Sequence, residues 1–372
     1  MSTARRLSWA VPVKGLAIAL VVAFHVTLYL DPAGVDVVLG RVKALFELFP
    51  MPAFFLVAGL AAGSHPNLSL GSLWWRRVYP VVYVYVLWSL LRTVFYLLVP
   101  GLQGGLGDLP ADDWRTVLLL PVWPSSSYWF LYALALFMVL RWLVARVPAG
   151  IQLAVAAVVS AAFSSGIVSV GNVGWTRIGS LFVFFLAGAL LSAPLKRAVD
   201  RSRPWHVALL AAGVLVVTAA LLLGLRRVPP VALVGQVLAV ATGVVALAHL
   251  PAGRVRDVLT TLGEQSFRVY LVHLFPIVLI CAGIRLLEPA WPRVVDAGVQ
   301  AVVALLVLWL SVRFSVLSGR WRWLYAPPEA LLPARLRRRP APRHRADVPR
   351  SRRAPHGAGP VPGSAKTPAP PS

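Results

Sequence analysis

Lys14–Gly15–Leu16–Ala17–Ile18–Ala19–Leu20–Val21–Val22–Ala23–Phe24–His25 is an apolar run bounded by two ionisable side chains. The apolar character extends from Trp9 to Leu30, close to the roughly 20 residues that a helix needs to cross a bilayer. The spacing predicts a membrane helix over 9–30. Eleven residues turn through about 1100°, three turns plus about 20°, so Lys14 and His25 share one face with about 16 Å of rise between them. Ionisable groups inside a span are expensive, which makes both residues functional candidates. Two plainer readings stand beside that one: Lys14 snorkels to the headgroups, and His25 makes a helix–helix hydrogen bond.

Working outward, similar apolar stretches recur over 44–62, 78–99, 128–145, 151–169, 178–194, 206–224, 230–249, 262–284 and 296–315. Short turns rich in Pro, Gly and charge separate them. The pattern predicts an all-α polytopic membrane bundle of about ten helices, residues 1–315, with no tandem repeat. Lys14 interrupts the first stretch and no small-x-small cleavage site follows, so a retained helix rather than a signal peptide is expected. After residue 315 the composition changes. Residues 316–372 are rich in Pro and Arg without apolar periodicity, which predicts a disordered tail.

Composition excludes an ordinary water-soluble domain. Of 372 residues, 58% are hydrophobic and 13% charged, and the mean hydropathy is +0.75; soluble domains carry nearer 25% charged residues. A net charge of +23 suggests nucleic acid at first, but its placement argues against that partner. Twelve Lys/Arg and two acids lie in 315–372, where a polybasic tail gains about 1 kcal/mol per residue against anionic headgroups. The single cysteine, Cys281, allows neither an internal disulfide nor a cysteine metal site, and no His-x3-His pair suggests a metal.

Loop charges set an expected orientation. Arg5, Arg6, Arg76, Arg77, Arg146, Lys196, Arg197, Arg201, Arg203, Arg254 and Arg256 fall on one side; Asp31, Asp36, Asp108, Asp112, Asp113, Glu288 and Asp296 fall on the other. Basic loops stay inside, so both termini are expected in the cytoplasm of a cell-membrane protein. Arg226 and Arg227 violate this pattern, as do Arg41 and Lys43, and Arg177 dilutes it.

The motifs resemble one family. Lys14-x10-His25, a basic residue eleven positions before a His that closes Val21–Val22–Ala23–Phe24–His25, is similar to the first helix of the acyltransferase-3 family of integral membrane O-acyltransferases. Met51–Pro52–Ala53–Phe54–Phe55 with Gly59, Arg76–Arg77–Val78–Tyr79–Pro80, Trp129–Phe130–Leu131, and Gly263-x2-Ser266-x3-Tyr270-x2-His273 resemble further family motifs in the same order. Three positions depart: Val11 and Ala58 stand where the family has an acid and a Ser, and Lys14 replaces the commoner Arg. The resemblance implies transfer of an acyl group, commonly acetyl, from acyl-coenzyme A to a hydroxyl of a glycan or glycosylated small molecule. Lys14, Arg76 and Arg77 then suit the donor phosphates. His25 suits a general base or an acyl-imidazole carrier, between which the sequence does not choose.

Ser266, Tyr270 and His273, at i, i+4 and i+7, lie within about 60° of one face. They form either a polar catalytic wall that donates to an oxyanion or interhelical hydrogen bonds. Trp129 orients an acceptor or belongs to an aromatic belt. Glu47 partners His25 or faces water. Arg92 is expected to snorkel, and Arg141 to mark a cytoplasmic helix end. Gly101–Gly107 reads as a flexible loop. A transporter or flippase for a sugar- or lipid-linked substrate is the competing class.

Overall fold

The computed structural model describes residues 8–33, 35, 46–63, 67–99, 113–124, 127–287 and 293–334, and among them every regular element is helical. Among the described residues, besides the short turns Leu70–Leu73 and Arg115–Leu119, twelve longer helices organise the chain: α1 Ala10–Leu30, α2 Pro50–Ala62, α3 Tyr79–Leu98, α4 Trp129–Leu143, α5 Ala149–Ser164, α6 Val173–Leu190, α7 Ser192–Arg201, α8 Trp205–Leu222, α9 Pro229–Ala248, α10 Arg254–Val272, α11 Leu274–Leu287 and α12 Arg293–Leu317. Each of the ten expected stretches holds a helix. Six helical stretches are long and apolar enough to cross a membrane, or seven if α10 and α11, bent by 59° at His273, make one span. Helices α2, α4 and α5 are apolar but shorter. The protein is therefore membrane-embedded, and among the described residues six or seven of the expected stretches reach full span length.

Local chemistry explains the boundaries. Pro50 and Pro229 start their helices where the missing N–H costs nothing. Asn172 caps α6 by accepting from the Trp175 backbone N–H at 2.9 Å, which begins that helix ahead of the expected residue 178. A π-helical turn, Trp74–Val78, leads into α3 and carries Arg76 and Arg77 on its exposed side. Such turns concentrate at functional positions.

Two glycine crossings fix the frame. A Cβ on Gly15 would overlap the Leu259 carbonyl, and one on Gly263 would overlap that of Val11. Helices α1 and α10 therefore touch backbone to backbone. Gly59 and Gly188 do the same for α2 and α6, against Phe185 and Leu56. Small residues that admit such close approach are the usual means of packing helices in a bilayer. Two apolar cores flank the crossings, and α1 contributes to both, with Val13 and Ala17 in the second. Val22, Val269, Tyr270 and Leu271 belong to the first core, while Ala53, Phe55, Phe184 and Phe185 belong to the second.

The domain boundary expected at 315 lies inside α12, and the compact unit runs from Met1 to Leu331. Residues 318–331 form short 3-10 turns tied to the bundle. Trp88 Nε1–H donates to the Leu324 carbonyl at 2.7 Å, and Tyr83 Oη–H to that of Trp323 at 3.0 Å. Arg268 lies 4.9 Å over the Tyr325 ring. The start of the expected disordered tail is thus an ordered strap. A second unit, Leu332–Ser372, has only residues 332–334 described. The Arg/Pro-rich run, Arg41, Lys43, Asp36, Asp108, Asp112, Glu288 and the Gly101–Gly107 loop lie outside the described residues.

Candidate active site

His25 stands ten residues beyond Gly15, and His273 ten beyond Gly263. The helices run parallel, so equal offsets of about 15 Å carry both imidazoles to one level. Their ring centroids are 4.8 Å apart, edge to face at 75°. His25 Nδ1 lies 2.8 Å from the Val21 carbonyl, and His273 Nδ1 lies 2.7 Å from that of Tyr270. Carbonyls only accept, so each Nδ1 carries the hydrogen and each neutral ring keeps its lone pair on Nε2. The His273 Nε2 is fully buried with no partner among the described residues. Both tautomers are thereby fixed, with the lone pair on Nε2 in each ring and no N–H of His273 left for an oxyanion, the role expected of it.

A small cavity of about 50 Å³ opens at His25, lined also by Glu47, Ser127, Trp129, Arg177 and Tyr270. The structure thus brings together four of the expected site residues, His25, Glu47, Trp129 and Tyr270, with His273 in contact behind His25. Lys14, Arg76, Arg77 and Ser266 do not line this cavity. Lys14 is half-buried on α1, where Glu264 of α10 attracts it. Arg76 and Arg77 are exposed.

Three expected roles change. Ser266 is buried and its hydroxyl donates to the Gly263 carbonyl of its own helix at 2.8 Å, a helix-internal bond that removes it from the polar wall. Tyr270 Oη–H donates to the Ser127 carbonyl at 2.9 Å, which commits its proton to the backbone and makes it a positioning residue. Glu47 pairs with arginines, at 2.5 Å to Arg177 and 2.9 Å to Arg226, and not with His25. Glu47 stands ahead of α2, outside the apolar helices. Burial pushes its carboxyl up, but the two guanidiniums outweigh this and hold it below the ordinary carboxylate range.

Arg92 departs from expectation, while Arg141 lies in the last turn of α4, at the helix end where it was expected. Arg92 is buried instead of snorkelling, and its guanidinium donates to Ser127 Oγ at 2.7 Å. Ser127 thereby joins Arg92 to Tyr270, one hydrogen bond from the histidine pair. Arg141 is buried as well, at 8% exposure. Arg177 and Ser127 line the cavity, and Arg226 reaches Glu47 on its wall; the motifs singled out none of the three. The two arginines were legible only as exceptions to the loop-charge asymmetry.

An apolar helix bundle holding a fixed pair of imidazoles beside a charged cavity is an arrangement suited to group transfer within a membrane. The chain belongs to the acyltransferase-3 family, whose model, described as an acyltransferase domain, matches residues 13–317. Comparison with curated proteins and with solved structures gave no match.

Proposed function

We propose that the protein is a membrane-bound O-acyltransferase that moves an acyl group, acetyl in the simplest case, from acyl-coenzyme A to a hydroxyl of a carbohydrate or glycosylated acceptor. The observation that carries this reading is the His25 ring, whose Nδ1–H is held by Val21 and whose Nε2 lone pair is left for chemistry beside a cavity. In the reaction, His25 Nε2 takes the acceptor hydroxyl proton as the oxygen bonds to the thioester carbonyl carbon. The C–S bond then breaks, and the proton passes from His25 to the departing thiolate. In the covalent variant His25 first carries the acyl group and then yields it to the acceptor.

Arg76 and Arg77, exposed on the π turn, and Lys14 are the cations suited to the donor phosphates. Trp129, on the cavity wall, suits a sugar face. The loop charges favour both termini in the cytoplasm and the basic tail against anionic lipid. The transporter reading has one observation in its favour, the break at His273, since discontinuous helices mark transport sites.

Purified protein with labelled acetyl-coenzyme A separates the readings. Donor turnover should fall by about 10²–10⁴ in His25→Ala, with donor binding little changed. Label retained on wild-type protein without acceptor would select the covalent variant. Near-normal turnover in membrane-inserted His25→Ala would overturn the catalytic assignment in favour of transport.

A further inference from the structure

Next to the histidine cavity lies a chamber of about 430 Å³ that shares Glu47, Val173 and Arg177 with it. That volume falls in the range of about 300–1,000 Å³ typical of small-molecule sites. Its walls are chemically uneven. Glu47 divides its two oxygens between Arg177 and Arg226, so two guanidiniums face one carboxylate and one positive charge remains among the described lining residues. The N-terminus of α6, at Asn172 and Val173, opens on the same space and adds partial positive charge. Arg226 keeps 52% of its side chain exposed and is free to turn towards a ligand.

A second, independent observation concerns hydrogen bonds left unmade. Gln236 and Ser164 line the chamber at 5% and 8% exposure, and neither Gln236 Oε1 nor Ser164 Oγ has a partner among the described residues. Buried polar atoms are nearly always satisfied, so two orphans in one wall need an explanation. Hydroxyl groups of a ligand would satisfy both.

We propose that this chamber binds the acceptor, and that the acceptor is a sugar bearing one anionic group, a carboxylate or a phosphate. The word acceptor rests on the acyl-transfer reading of His25; the ligand chemistry does not. The anion pairs with Arg226 while Glu47 retains Arg177. Gln236 and Ser164 take sugar hydroxyls. The hydroxyl to be acylated passes the shared wall of Glu47 and Arg177 to reach His25. A cationic amino sugar is repelled, and a neutral sugar leaves the excess charge unanswered.

The test is titration calorimetry on the full chain in detergent with methyl glucuronide, glucose 1-phosphate and methyl glucoside. At least one anionic probe should bind about tenfold more tightly than the glucoside, the scale of one charge-assisted contact. Arg226→Gln should abolish that preference, Arg226→Lys should keep it, and Gln236→Leu should weaken all three probes alike. Whichever anion wins identifies the carboxylate or the phosphate. Equal binding of all three, no binding of any, or a preference that survives Arg226→Gln would overturn the proposal. Acyl-coenzyme A turnover is measured separately: anion-selective binding without turnover removes the acyl-transfer reading and leaves the chamber's ligand class standing.

Discussion

The two glycine crossings use the same packing device to present opposite chemistry. At α1 and α10, the reactive groups stand ten residues beyond the glycines, at His25 and His273. At α2 and α6, they stand before them: Glu47 lies twelve residues ahead of Gly59, and Arg177 eleven ahead of Gly188. Each pair runs parallel, so nearly equal offsets bring partners to one level. The first pair offers lone pairs on Nε2, which at His273 has no partner among the described residues; the second offers charges that already neutralise one another in part. Proton transfer needs the first kind of group, because a nitrogen that is already bonded or charged cannot accept. Ligand orientation is served by the second, where a salt bridge holds the guanidiniums in place until a competing anion arrives. Register is set by glycine and chemistry by what sits ten to twelve residues away.

The largest effect expected is at the crossings themselves. Gly15→Ala or Gly263→Ala forces a methyl into a backbone carbonyl that no rotamer change can move. The helices must separate, at a cost near the upper end of overpacking penalties, about 3 kcal/mol. The two imidazoles should lose contact, so kcat should fall while the acceptor KM holds. Gly59→Ala and Gly188→Ala should cost similar stability but raise the acceptor KM instead. Steady-state kinetics on the four membrane-inserted variants checks this split. Identical kinetic profiles would show that the crossings do not divide the work.

A smaller effect is expected at His273. Its Nδ1–H satisfies the Tyr270 carbonyl, and its ring edge sets the position of His25. His273→Leu removes the donor and should lower kcat about tenfold, the equivalent of one hydrogen bond of about 1.4 kcal/mol. The acceptor KM should stay unchanged, because His273 does not line the chamber. His273→Asn offers an amide N–H near the same place and should recover most of the loss. A merely space-filling role would instead be rescued by Leu and not by Asn.

How much of this was legible in the sequence depends on the kind of residue. His25 was visible because an imidazole in an apolar helix is costly and so conspicuous. Its pairing with His273 was not, since a contact across 248 positions depends on the Gly15–Gly263 crossing rather than on either local pattern. Ser266 misled for a physical reason: on a helix, a Ser at the right face position can return its hydroxyl to its own backbone. Arg177 and Arg226 announced themselves as violations of the charge asymmetry, and their meaning emerged only once Glu47 was found between them. Arg92 reads as a snorkelling residue in sequence, because burial of a guanidinium requires partners such as Ser127, which sequence spacing does not reveal. The helical class followed from the recurring apolar stretches of span length. The full-length span count did not, because α2, α4 and α5 are shorter than their apolar stretches.

The smallest effect tests whether the strap belongs to the histidine half alone. Leu324 sits in the apolar core that holds Val22, Val269 and Tyr270, and none of the strap enters the core of the α2–α6 crossing. Trp88 supplies the strap with a hydrogen bond to the Leu324 carbonyl and ring contacts to Phe275 and Tyr325, with centroids 5.8 Å and 6.1 Å away. Trp88→Phe keeps most of the aromatic packing and deletes the donor. The expected loss is therefore about 1 kcal/mol, the net worth of one hydrogen bond, seen as a lowered Tm in detergent. Any kinetic change should fall on kcat, with anion binding in the chamber untouched. Truncation after Leu317 removes the strap entirely and should exceed the Trp88→Phe loss, since Arg268 and Tyr83 lose Tyr325 and Trp323 as well. Truncation after Ala334 spares every one of these contacts and should leave Tm unchanged. If cutting after Leu317 is as harmless as cutting after Ala334, the strap is not part of the bundle's stability, and the histidine crossing stands on α1, α10 and their neighbours alone.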